Sequence, residues 1–155
     1  MRWFTLVIGT FLLSSTVAAA QETRPGWVVY QTKHSFKKMV GKLRGAIKSA
    51  KMLTVTRASA SAGARGRKIT IPGNMIVGVY RNDYAIRMLE ASIDAGIEAP
   101  IRFYLSENAD NTTRLAYRTP SSVFAPYMDE GGDKLKELAD ELDVVFAQIA
   151  KSASQ

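Results

Sequence analysis

The side chains that carry most biological chemistry are sparse in this chain, and their scarcity narrows what it can do. There is one histidine, His34, and no cysteine. A Ser/His/Asp triad has only His34 to be built around, and a multi-histidine zinc site cannot be built at all. Thiol catalysis, thiolate metal sites and disulfide exchange are excluded with the cysteines. His34 stands beside Lys33 just ahead of a helical pattern, where a histidine serves as a capping or surface residue more often than as a base. Met39, Met52, Met75 and Met88 each fall in or beside an apolar stretch, which favours core packing over soft-metal ligation. The densest chemical pattern is cationic. Arg102 and Tyr104 alternate with Ile101, Phe103 and Leu105, while Arg114 and Arg118 alternate with Leu115 and Tyr117. Period two puts the arginines of each strand on one side. Sequence does not fix the register between the strands, but the expectation is that all three cluster on one sheet face, where guanidinium groups can fork onto a carboxylate or phosphate. The competing reading pairs them with Glu107, Asp110 or Asp129. Asn111-Thr112-Thr113 matches a glycosylation acceptor, a pattern common by chance and meaningful only in a eukaryotic secretory route.

Charge is distributed unevenly behind the formal net value of +7. Between Thr23 and Asn82 there is no acidic residue against thirteen basic ones, whereas from Asp83 onward thirteen acidic residues meet seven basic ones. Such asymmetry fits an anionic partner for the first half or head-to-tail contact between halves. A solvated face that only aids solubility is the plainer alternative. Lys37, Lys38, Lys42, Arg44 and Lys48 concentrate this charge on one helical stretch.

The elements that must position these residues follow from pattern. Met1-Arg2, an apolar run from Trp3 to Leu13 and the small residues Ala18 and Ala20 read as an export leader cleaved between Ala20 and Gln21. An uncleaved anchor is the competing reading, but a bilayer span wants about 18 or more apolar residues. No cysteine follows the cleavage point for lipid attachment. The expected layout is a leader over 1–20, a linker over 21–26, one α+β domain over 27–151 and a disordered tail over 152–155. The product is expected outside the cytoplasm, periplasmic or secreted.

Within the domain, Trp27 to Thr32 reads as a strand. A helix capped by Ser35 carries Phe36, Met39, Val40, Leu43, Ala46, Ile47 and Ala50 on one face. Met52 to Arg57 reads as the second strand, Ala58 to Lys68 as a mobile connection, and Met75 to Arg81 as a central strand apolar on both faces. Ile86, Leu89 and Ile93 mark the next helix, with Met88 flanking their stripe, and that helix is expected to end near Gly96. A hairpin over Ile101–Ser106 and Thr113–Arg118 follows, and Gly131-Gly132 breaks the chain before a last helix with Leu135, Leu138, Leu142, Val145, Phe146 and Ile149 inward. The order β-α-β-β-α-β-β-α is a two-layer α+β arrangement, with helices on one face of a largely antiparallel five-stranded sheet. Its second face needs cover from a ligand, a partner subunit in a homodimer, or a last helix that wraps round.

The stretch His34-Ser35-Phe36 with Leu43, Ala46 and Ile47, the strand end Val79-Tyr80-Arg81-Asn82, the helix around Met88-Leu89-Glu90, the strand Ala99-Pro100-Ile101-Arg102-Phe103-Tyr104 and the hairpin into Leu115-Ala116-Tyr117 resemble one family. It is the family catalogued as domain of unknown function 302, matched over roughly Trp27 to Met128. The resemblance implies a compact fold similar to helix-grip or TATA-binding-protein-like architectures and a tendency to pair into dimers; it supplies no activity. The chain departs from the family pattern at three places. Arg57-Ala58-Ser59 stands where members often carry an acidic residue and a histidine, Asn82-Asp83 stands for Asn-Pro, and Ala99-Pro100 for Leu-Pro. Arg57 and Asn82 thereby join Arg102, Tyr104, Arg114 and Arg118 as candidate ligand-binding residues.

These observations point to an exported, non-catalytic binding domain that holds a small anionic or amphipathic ligand or an acidic partner surface, with no metal and no cofactor. Nucleic acid is set aside as a partner, since no recognition motif is present. Peripheral membrane contact is not favoured, because the apolar stripe of the basic helix is needed for the core. The alternative is a small enzyme acting on an anionic substrate, with the arginine cluster for binding and a tyrosine, an aspartate or His34 as proton donor.

Overall fold

A computed structural model describes residues 24–155. The expected leader over 1–20 lies outside the described residues. Five strands, β1 (Trp27–Thr32), β2 (Leu53–Ala58), β3 (Asn74–Tyr80), β4 (Ile101–Glu107) and β5 (Thr113–Arg118), form one sheet in the order β1-β5-β4-β3-β2. Every neighbouring pair is antiparallel. The helices are α1 (Phe36–Ser49), α2 (Ala60–Gly66), α3 (Asn82–Ala91), α4 (Pro120–Phe124) and α5 (Met128–Ser154). The chain is therefore α+β with an antiparallel sheet, as its pattern predicts, with the short α2 added and α4 standing where Ser121 to Tyr127, after the Thr119-Pro120 stop, reads as a short helical turn.

Alternation along the strands sends Val77, Val79, Ile101, Phe103, Leu105, Leu115 and Tyr117 into the core, where Met39, Leu43 and Ile47 of α1 and Leu135, Leu138, Leu142, Phe146 and Ile149 of α5 meet them. Phe103 lies at the centre, stacked on Phe146 at 4.8 Å and edge-on to Tyr117 at 5.2 Å. Aromatic pairs at these distances add attraction beyond the area they bury. Four of the six methionines sit in this layer or beside it as expected: Met39, Met52 and Met88 are buried and Met75 packs against it.

Four expectations need correction. The segment Ala58 to Lys68 is not a bare connection. Ala60–Gly66 is helical, with Ser59 Oγ accepting from Ala62 N at 3.1 Å and Asn74 Oδ1 accepting from Ala60 N at 2.9 Å. Its glycines and serines masked the alanines that favour helix. The apolar stripe of α3 is turned outward: Ile86 is 50% exposed and Ile93 75%, while Ala85 and Met88 face the core. Small Ala85 lets α3 approach α5 closely, and the helix stops at Ala91. There Ser92 Oγ donates to Glu130 Oε2 at 2.7 Å and accepts from Ala95 N at 3.1 Å. The last helix does break at Gly132, whose φ of 53° and ψ of −148° suit glycine alone. It then runs through Ser154 with Ala153 fully buried, so the tail expected over 152–155 is mostly helix. Lastly, of the three covers considered for the second face of the sheet, the last helix does not supply one. The last helix stays with α1, α3 and α4 and does not wrap round, leaving Ile76 41% exposed on the other side.

Candidate functional site on the open sheet face

The register assembles the open face row by row. Val29, Ala116, Tyr104, Ile76 and Ala58 form one row across all five strands. On one side of it Gln31, Arg114, Ser106 and Asn74 form a polar row. On the other, Trp27 faces Arg118 and Gly78 faces Arg102. Because Phe103 faces Tyr117 inward, Arg102 and Arg118, one step beyond them, are outward neighbours on adjacent strands. The apolar row thus has an arginine pair on one flank and Arg114 on the other.

Beside this pair the surface sinks into a cavity of ≈ 480 Å³, lined by Trp27, Ile76, Glu98, Arg102, Tyr104 and Arg118 among others. Ligand sites commonly have this size, mostly apolar walls and few polar groups. Arg118 Nη2 donates to the carbonyl of Ser122 at 3.0 Å and lies 3.3 Å from its hydroxyl, which holds the guanidinium at the rim. Among the described residues no carboxylate pairs with Arg102, Arg114 or Arg118. Two of the acids that sequence offered as their partners are engaged otherwise. Glu107 Oε2 accepts from Gly73 N at 2.7 Å. Asp110 accepts from the hydroxyl and backbone N–H of Thr112, which hold its carboxyl below the usual range. The one carboxylate on the cavity wall, Glu98, accepts from the Tyr127 hydroxyl at 3.1 Å. Burial, then that bond, raises the Tyr127 hydroxyl above the ordinary tyrosine value.

Of the six candidate ligand residues, Arg102, Tyr104 and Arg118 share this cavity, and Arg114 stands on the same face across the apolar row. Asn82 and Arg57 do not join them. Asn82 opens α3, between Arg81 and Asp83, which pair at 2.7 Å. Arg57 faces Val77 on the helix-bearing side of the sheet. Sequence reasoning missed Trp27 and Glu98. Trp27 was readable as a strand start but not as a cavity wall, and Glu98 arrives through a 3₁₀ turn that no local pattern marks. His34 lines neither this cavity nor the groove described below; its Nε2 is buried without a hydrogen-bond partner.

The basic residues of α1 stay solvent-facing: Lys37, Lys38, Arg44 and Lys48 are exposed and Lys42 half-buried. No ion pair holds any of them among the described residues. Among the described residues, no helix is long and apolar enough to cross a membrane, and no cluster of three His, Asp or Glu could hold a metal.

No protein of curated function matches the chain. Among solved structures, it is similar to the crystal structure of an uncharacterized conserved DUF302 protein from Bacillus stearothermophilus. That match has a TM-score of 0.73 at 14% identity and covers 85% of this chain and 100% of the other. At that identity the likeness speaks for the fold. A family model, Domain of unknown function DUF302, matches residues 28–153. The chain belongs to the DUF302 family.

Proposed function

We propose that this chain is an exported, non-catalytic binding domain whose open sheet face seats an amphipathic anion. The apolar body lies on Trp27, Val29, Ile76 and Tyr104, and the anionic head is forked by Arg102 and Arg118. The observation that carries this reading is the arginine pair itself: Arg102 and Arg118 both line one concave, largely apolar surface, with no carboxylate bound to either among the described residues. Two cations on one wall repel, and an anion relieves them while charge-assisted bonds fix its head. Export rests on the basic start, apolar run and small-residue cleavage pattern of residues 1–20.

Native mass spectrometry of the protein purified from its own host tests this. The expected result is one retained amphipathic anion per chain, released by acid and absent when Arg102 and Arg118 are both replaced by alanine. A ligand-free homodimer, in which a second copy covers the same face, would replace this reading. A bare monomer that binds no alkyl carboxylate at low salt would end it.

A further inference from the structure

A second concavity opens on the opposite, helix-bearing side of the sheet, between α1 and the edge strand β2, with a volume of ≈ 380 Å³. Lys37 and Arg44 of α1 and Arg57 of β2 line it, with Gly41 and Thr54 between them. Its floor is apolar, made by Val40, Met75 and Val77. Three cations therefore border one groove. None is paired among the described residues, and none can be paired from the groove's own elements, because the stretch holding α1, β2 and β3 contains no aspartate or glutamate.

Two local features bring these groups together. Lys37, Gly41 and Arg44 stand at i, i+4 and i+7, a stripe about 10 Å long on one side of α1. Gly41, like Gly45 beyond the groove, stands in mid-helix, where glycine costs stability relative to alanine. A Cβ there would meet nothing within 4 Å, so no internal contact requires its absence. What glycine does provide is a bare backbone between two cations. On β2, Thr54 pairs with Val79 and Arg57 with Val77, both inward positions. Residues three apart in a regular strand face opposite ways. The register shift between Thr54 and Thr56 admits Val55 as an extra residue and turns Arg57 to the same side as Thr54.

We infer that this groove is a separate oxyanion site that takes a phosphoryl group carrying two or more negative charges. Lys37, Arg44 and Arg57 supply the charge, the Thr54 hydroxyl a hydrogen bond, and Gly41 the clearance. The site stands independently of the sheet-face ligand, since the two concavities share no residue.

Isothermal titration of the full chain with inorganic pyrophosphate at low salt, with amide shifts followed by NMR, is the test. One saturable site per chain is expected, weakening as salt rises, with the largest shifts at Gly41, Thr54 and Arg57. Arg44→Gln with Arg57→Gln lowers affinity at least about tenfold. Lys38→Gln with Lys42→Gln removes the same charge from the other side of α1 and leaves affinity within about twofold. Gly41→Ala raises the melting temperature and yet weakens pyrophosphate binding, a combination that misfolding cannot produce. Arg102→Ala with Arg118→Ala leaves pyrophosphate binding intact, which separates this site from the sheet-face reading. Uptake by phosphatidic acid vesicles in competition with pyrophosphate identifies the source as a lipid headgroup; pyrophosphate binding without vesicle uptake identifies a soluble phosphate ester. Absence of saturable binding at millimolar pyrophosphate, or an equal loss in the Lys38/Lys42 pair, overturns the inference.

Discussion

Arg87 and Glu141 join α3 to α5 through two parallel hydrogen bonds, Nη1 to Oε2 at 2.7 Å and Nη2 to Oε1 at 2.8 Å. The pair lies 54 residues apart in sequence and fixes the helix whose apolar stripe faces out. The Arg87 guanidinium holds the Glu141 carboxyl below the ordinary glutamate value. A carboxyl depressed on folding stabilises the fold above its unfolded pKa and loses that contribution as pH falls through the folded value. Both side chains are nearly half exposed, so solvent screening keeps the contribution to about 0.5 kcal/mol. Arg87→Met is expected to lower stability by that amount at neutral pH and by almost nothing in acid. Urea unfolding of both proteins at several pH values would show it, and a difference independent of pH would refute it.

The Tyr117 hydroxyl titrates in the opposite sense. Burial, with smaller contributions from Tyr30 and Asp143, pushes it up to about 12. Neutral Tyr117 packs on Phe103 and Phe146. A group raised above its unfolded value near 10 contributes fully below that pH, and the contribution disappears as pH climbs through the folded value. The chain is expected to lose stability between about pH 10 and 12, and Tyr117→Phe to lose less over the same interval. Thermal melts across the alkaline range decide it. Parallel loss in the two proteins would mean that Tyr117 is not responsible.

At the open face the arginine pair gives a quantitative expectation. Hydrogen bonds to charged groups contribute about 1.5–3 kcal/mol each, so Arg102→Ala or Arg118→Ala should weaken binding of a medium-chain alkyl carboxylate by about tenfold or more. Arg114→Ala, across the apolar row, should have the smaller effect. Emission from Trp27 on the cavity wall reports occupancy, with Trp27→Phe as the control. Equal effects at all three arginines would indicate diffuse attraction instead of a forked head.

How legible this was depended on whether local period or distant register decided a residue's place. Strict alternation in β4 and β5 made Arg102, Tyr104, Arg114 and Arg118 readable as one face, because both strands are regular and their inner residues are large and apolar. Arg57 was not readable in the same way. Its side of the sheet is set by a register shift at Val55, and a shift of one residue exchanges the faces. Ile86, Leu89 and Ile93 gave a convincing helical period that the fold turns outward, since Ala85 and Met88 match the surface of α5 and periodicity cannot say which face finds a partner. Trp27 and Glu98 reach the cavity only through pairings of β1 with β5 and a 3₁₀ turn, contacts that no window of sequence contains.

Gly78 marks a point of close approach on the sheet face. It lies opposite Arg102 on β4 and Thr56 on β2, and it is buried. A Cβ there would collide with Thr56 Oγ1 and with the ring of Pro100. Its φ is not in the left-handed range, so the demand is for space and not for backbone freedom. Overpacking of this kind costs about 1–3 kcal/mol, and Gly78→Ala is expected to fall in that range by urea unfolding. Thr56→Ala removes one of the two obstacles and should cost little alone, as the residue is exposed. Combined with Gly78→Ala it should recover part of the loss, a positive coupling that a double-mutant cycle isolates. The remainder belongs to Pro100, whose ring stays in place. Additive losses in the cycle would show that Thr56 can move aside, and a Gly78→Ala protein as stable as the parent would show that neither neighbour confines this strand.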